Sequence, residues 1–314
     1  MEFPDDFDPK NISKEEDYIN PLSDFGFKNL FGKEGKAQEN LIVLLNAILH
    51  DRLGFEKIVS VTLNPTENKG ENKHRKSTFY DVHCVTDRGH RIIVEMQNRW
   101  EANFDNRMIY YTVEGIMLQD TNKFDGRPWN YHLDPVVGLA ICNFTLPNFE
   151  KNPLAFFNLR EAKTNIKYGD QLNLVFLHIK EFTQEADKCL TELEKIIYTL
   201  TNMKTIQETK NNPFSKEKGD FYDTVAFMSR YSSLSQEEKL AYHAWRIHEN
   251  DRLLREERIA AEGHELGFAA GALSEAWKIA RKLYEKGLGI EDISEFTGLS
   301  ILELKEKLTG FSQK

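Results

Sequence analysis

The chain has 314 residues, 40% of them hydrophobic, enough to bury one large core or two smaller ones. Its formal net charge of −9 excludes the broadly basic surface with which many nucleic-acid binders hold phosphate, so any such contact has to be local. Cys84, Cys142 and Cys189 are widely spaced and form no CxxC pair, which argues against a disulfide framework or a zinc site and suits a reducing compartment.

Residues 1–20 are polar and acidic with no apolar signal region, and are expected to be loosely ordered. No run of transmembrane length follows, so the expected setting is cytoplasmic, with no membrane partner. Ser23 is placed to cap a short helix carrying Asp24, Phe27, Leu30 and Phe31. The apolar stretch over 41–49 predicts a second helix that stops near Gly54, and a strand is expected over 57–63. The loop from Asn68 to Ser77 concentrates Lys69, Lys73, Arg75 and Lys76 just before the next strand. Such loops are ordinarily just solvated; the functional reading is contact with DNA.

The next stretch, from Phe79 to Gln97, carries the chemistry. Two runs rich in β-branched and aromatic residues flank Asp87-Arg88-Gly89, a hairpin signal. With the hairpin closing around Arg88, Asp81 and Glu95 come directly or nearly opposite each other on adjacent antiparallel strands. Side chains alternate along a strand, so Gln97 projects on the face of Glu95 and the three converge. Two carboxylates this close repel when ionised unless a cation sits between them, and hard oxygen ligands favour Mg²⁺ or Mn²⁺. The plainer alternative is the wet face of a hairpin. Against it, the strand 91–97 opens on a nearly continuous apolar run, as a central buried strand does. Cys84 is out of phase with Asp81 and reads as core. His83 shares the Asp81 face and reads as a hydrogen-bonded structural histidine, with substrate contact as the alternative.

A helix is expected over 104–118 with Arg107, Tyr111 and Glu114 at helical spacing, most simply as packing and surface residues. Buried strands are expected over 136–141 and 172–179, completing a sheet by about residue 182. From there the pattern is helical, with a long exposed helix or a helix-helix contact with one apolar stripe over 236–265, and a helix-turn-helix pattern over 290–304 in which Ser300 and Glu303 form a capping box. Lys305 and Lys307 there are offset by Glu303 and Glu306, and no side chain suits bidentate base readout. Packing or oligomerisation through Ile290, Ile293, Leu299, Leu302 and Leu304 is the preferred reading of this end. The expected domains are thus a loose segment 1–20, a core 21–182 and a helical region 183–314.

Asp81 followed by Glu95-Met-Gln97 resembles the PD-(D/E)XK nuclease core in the branch where Gln replaces Lys. Ser23 to Gly32, the stretch 41–49, Arg107 with Tyr110-Tyr111, and the strand over 172–179 are similar to the recombination-promoting nuclease family of PD-(D/E)XK putative transposases. The resemblance implies an α/β fold, a restriction-endonuclease-like mixed sheet flanked by helices, followed by an all-α extension. It also implies metal-dependent cleavage of DNA with low sequence specificity, linked to recombination or mobile elements. Carried over, Asp81, Glu95 and the backbone carbonyl of Met96 would hold Mg²⁺, with Mn²⁺ or Ca²⁺ as substitutes, and Asp24 matches an accessory acidic position. Gln97 would orient water but supplies no charge, so a second metal, Lys28 or Arg107 would provide the missing cation, and Lys28, Lys73, Arg75, Lys76 and Arg107 are the candidates for substrate contact. The alternative is a catalytically inactive nuclease scaffold that binds nucleic acid or a protein through its helical tail.

Overall fold

The computed structural model describes residues 18–52, 54–68, 78–119, 132–147, 153–215, 217 and 220–309. The chain divides into two compact units, Met1–Leu240 and Ala241–Lys314.

The first unit is built on a mixed sheet of the expected class. Its six strands among the described residues are β1 (Val61–Leu63), β4 (Val82–Thr86), β5 (Arg91–Gln97), β6 (Val136–Cys142), β7 (Leu154–Asn158) and β8 (Leu172–His178), in the order β1-β4-β5-β6-β8-β7. A separate ribbon pairs β2 (Glu67–Asn68) with β3 (Thr78–Phe79). The three central strands β5, β6 and β8 run parallel, and β4 and β7 are antiparallel to their neighbours.

Parallel strands covered on both faces need apolar residues at every position, and all seven residues of β6 are buried. One face packs Val82, Cys84, Ile92, Val94, Met96, Val137, Leu139, Ile141, Val175 and Leu177 against the helices α1 (Asp24–Phe31), α2 (Lys36–Leu49), α4 (Glu192–Thr201), α5 (Met203–Thr209) and α6 (Phe221–Met228). The alternate face packs Ala140, Cys142 and Phe176 against Phe104 and Met108 of α3 (Phe104–Met117). Helix α3 lies close to the sheet because glycine permits it. A Cβ on Gly138 would fall 2.0 Å from Thr112 Oγ1, and one on Gly115 would fall 2.9 Å from Val136 Cγ1.

Helices α4 to α6 explain why the first unit runs to Leu240 and does not end near residue 182 as expected. Ile196, Ile197, Leu200, Met203, Ile206, Phe221, Tyr222 and Val225 belong to the same buried cluster as the sheet. Each such side chain removed from water contributes roughly 1.5–3 kcal/mol, so these helices are part of the core.

Local corrections have local causes. Helix α2 ends at Leu49, five residues short of Gly54, because Arg52 Nη1 donates to the carbonyls of Ala47 and Ile48 and Asp51 turns at a φ of 59°. The strand expected from residue 57 starts only at Val61: the Ile58 N–H goes to Asn46 Oδ1, and those of Val59 and Ser60 go to Asp87 Oδ1. The Ser23 cap is present, its hydroxyl accepting from the Gly26 N–H at 3.1 Å. Strand β7 and the β2–β3 ribbon leave no clear sequence signal; β7 carries the sequence LAFFN, too short for a periodicity to declare itself.

In the second unit, α8 (Ile290–Thr297) and α9 (Ile301–Thr309) are joined through Gly298 at a φ of 69°, and the Ser300–Glu303 capping box forms as expected. Ile293, Leu299, Leu304 and Leu308 close on Ala276, Trp277, Ala280, Leu283 and Tyr284 near the end of the 50-residue helix α7 (Gln236–Glu285). Most of the face expected to meet another helix is thus used within the chain, and Leu302 is 71% exposed.

Candidate active site

The hairpin closes in the expected register. Val82 pairs with Val94 and Val85 with Arg91, so the next positions outward are Asp81 opposite Glu95 and Tyr80 opposite Met96. At that point the chain leaves the ladder. Were it to continue, Tyr80 and Met96 would exchange both main-chain hydrogen bonds, as Val82 and Val94 do. Instead the Tyr80 N–H donates to the Thr66 carbonyl at 2.9 Å, and the Met96 N–H donates to Asp81 Oδ2 at 2.7 Å. The Asp81 N–H in turn donates to Glu95 Oε1 at 3.3 Å. A side-chain carboxylate has replaced a main-chain carbonyl as the partner of Met96, which fixes Asp81 against Glu95.

Both acids are buried, at 7% and 6% exposure. Burial pushes the Asp81 carboxyl up to about 7, reinforced by its hydrogen bond with Asp24 and opposed by Lys28 and by the Met96 N–H. Burial likewise pushes Glu95 well above the usual carboxylate range, with Asp81 adding to the effect and Arg107 opposing it. At Asp24 burial also works upward, but the hydrogen bond with Asp81 and the neighbouring ammonium of Lys28 outweigh it and hold this carboxyl low. Lys28, one turn along α1, bridges the two, its Nζ 2.7 Å from Asp24 Oδ1 and 3.1 Å from Asp81 Oδ1. Helix α1 thus brings both expected residues to the strand pair.

Gln97 is held from the other side. Arg107 Nη2 donates to Gln97 Oε1 at 2.7 Å and Arg107 Nη1 to Glu101 Oε2 at 2.8 Å, while Gln97 Nε2 donates to the Arg99 carbonyl. The guanidinium lies 5.0 Å from the centre of the Phe104 ring. Its Nε is buried and has no hydrogen-bond partner among the described residues. Tyr111, one turn further along α3, packs edge-on to Tyr80 at 5.0 Å, and burial with the nearby Glu95 charge pushes its hydroxyl up to about 12.

Helical spacing alone reads Glu114 as a packing or surface residue; in the structure it is 3% exposed and its Oε2 accepts from both Thr78 Oγ1, at 2.5 Å, and the Tyr80 hydroxyl. Its i+7 spacing from Arg107 placed it on the same helix face, and that was the available signal. His83 is structural as expected: it is 4% exposed, and its Nε2 lies 2.8 Å from Arg91 Nη1. Lys69, Lys73, Arg75 and Lys76 lie outside the described residues.

The donor set suits a hard divalent cation. Two buried carboxylates with raised affinity for positive charge stand side by side, next to a carbonyl, that of Met96, whose expected ladder donor is engaged elsewhere. Among the described residues no group of three or more His, Cys, Asp and Glu side chains converges as a ready-made metal cage. A cation here would therefore complete its shell with main-chain oxygen and water, as Mg²⁺ commonly does.

A family model described as PD-(D/E)XK nuclease family transposase matches residues 21–253. No curated protein and no solved structure gives a significant match.

Proposed function

The chain belongs to the PD-(D/E)XK nuclease family transposases, and from that premise we propose that it hydrolyses DNA phosphodiester bonds with a divalent cation, preferentially Mg²⁺, and with little sequence specificity. The observation that carries the reading is the apposition of Asp81 and Glu95, two buried carboxylates on opposed strands with the Met96 N–H held by Asp81. Asp81, Glu95 and the Met96 carbonyl would hold the cation, which when bound offsets charge on the phosphate and makes water a better nucleophile. Mn²⁺ and Ca²⁺ suit the same oxygen ligands.

The chain's own residues supply the rest. Gln97 presents an amide that can orient a water without adding charge. The cation that a lysine would carry at that position comes from Arg107, already bonded to Gln97. Lys28 neutralises Asp81, and with a divalent cation held by Asp81 and Glu95 its ammonium would be available to substrate phosphate. The setting is the cytoplasm, and the physiological role is recombination or element mobility.

A scaffold without catalysis is the second reading, favoured by that same Lys28 ammonium, which already compensates Asp81 without any metal. Cleavage of supercoiled plasmid in Mg²⁺, against chelator, Asp81→Ala and Glu95→Ala, decides between them. Cleavage by the wild type alone supports the nuclease. Its absence in every divalent ion, with DNA binding intact, supports the scaffold.

A further inference from the structure

We propose that Glu114 is a positioning residue that shapes the carboxylate end of the β4–β5 pair, acting through Tyr80 and Thr78. Its catalytic consequence rests on the nuclease reading above; its structural consequence does not. The starting point is an oddity of burial. Glu114 sits inside the protein at 3% exposure, where an apolar side chain would avoid the cost of desolvating a carboxylate. One oxygen, Oε2, gathers two hydroxyl donors, that of Thr78 on β3 and that of Tyr80, itself 1% exposed. Hydrogen bonds from hydroxyls to a carboxylate are short, strong and demanding in geometry, so the trio fixes where the chain runs immediately before Asp81.

That path creates the site. Register alone would carry Tyr80 alongside Met96 and consume both of its main-chain groups. With the Tyr80 side chain tied to α3 and its N–H to Thr66, the backbone peels away one residue before Asp81. The Asp81 carboxylate then swings onto the Met96 N–H, and Tyr80 no longer claims the Met96 carbonyl. The same helix face holds Gln97 through Arg107 and packs Tyr111 on Tyr80. Helix α3 thus acts as a ruler: Arg107 sets the Gln97 end, and Glu114 sets the Asp81 end.

The test compares wild type, Tyr80→Phe, Glu114→Gln and Glu114→Met with Gln119→Ala, a control removing another buried α3-end side chain that bonds the Asp134 main chain. Amide exchange is read at Met96 against Ile92 and Val94, and Mn²⁺ affinity by calorimetry. Tyr80→Phe and Glu114→Met are expected to speed Met96 exchange at least tenfold with Ile92 and Val94 unchanged, and to weaken Mn²⁺ by about tenfold. Glu114→Gln, which keeps an acceptor oxygen, is expected to recover part of both, and the control to change neither. If the wild type binds no Mn²⁺ and cleaves nothing, the nuclease reading fails, yet Met96 exchange still decides the positioning role. Should Glu114→Met not fold, Tyr80→Phe decides alone. Met96 exchange in Tyr80→Phe no faster than in the wild type, or no faster than in the control, overturns the proposal.

Discussion

Replacing Gln97 by lysine is expected to inactivate the protein, although the resemblance to the PD-(D/E)XK core implies a lysine at the matching position. The reason is Arg107, whose Nη2 already lies 2.7 Å from Gln97 Oε1. An ammonium in place of the amide would face the guanidinium across about 4 Å, which costs on the order of 4 kcal/mol at an effective dielectric of about 20. Partial exposure of Arg107 reduces this to roughly 1–2 kcal/mol. Loss of the charge-assisted hydrogen bond adds about 1.5–3 kcal/mol. The pair therefore cannot coexist undistorted, and the displaced guanidinium no longer meets the phosphate. A misplaced charge-stabilising donor typically lowers kcat by about 10²–10³, and Arg107→Met is expected to do the same. The double variant Gln97→Lys/Arg107→Met restores a single cation and is expected within about tenfold of wild type, a coupling well outside additivity. Single-turnover cleavage of linear DNA in Mg²⁺ measures all four proteins, with thermal unfolding alongside. A fully active Gln97→Lys with Arg107 intact, or a double variant as poor as the product of the singles, would refute the assignment of Arg107 as the site's cation.

Burial, with Arg91 adding to it, holds His83 down to about 4 against its ordinary 6.5. The folded protein therefore resists a proton that the unfolded chain accepts. Its contribution is complete above pH 6.5 and is lost as pH falls from 6.5 towards 4, by up to about 3 kcal/mol; urea unfolding across that range should flatten in His83→Gln, and an unchanged slope counts against the buried neutral histidine. Gly138→Ala puts a Cβ 2.0 Å from Thr112 Oγ1 and is expected to cost about 1–3 kcal/mol, partly recovered by Thr112→Ala, as read from denaturation midpoints. Leu304→Ala opens a cavity among Ile293, Leu299 and Ala280 and should destabilise the second unit by about 2–5 kcal/mol, seen as faster amide exchange across α8 and α9 with cleavage retained.

The hairpin was legible because a single register follows from its turn, and a one-residue slip would have turned Asp81 and Glu95 to the wrong face. Helix α1 was legible from its cap, and the central strands from their unbroken apolar runs. What sequence did not give has a common physical cause: side chains that replace main-chain partners across long separations. Asp87 takes the N–H groups of Val59 and Ser60 and so shortens β1. Asp81 stands in for the Tyr80 carbonyl, and Glu114, 34 residues beyond Tyr80, redirects the chain ahead of it. Local patterning carries no trace of such exchanges. The misplaced boundary near residue 182 has another origin. The helices 192–228 are amphipathic, and only packing tells whether their apolar faces meet the sheet or one another.

Calorimetric titration of Mn²⁺ at pH 8, above the value near 7 to which Asp81 is raised, tests the central claim most directly. The account predicts saturable binding by the wild type that disappears in both Asp81→Ala and Glu95→Ala while their circular dichroism stays native. Undiminished binding in either variant, or none in the wild type, would contradict it.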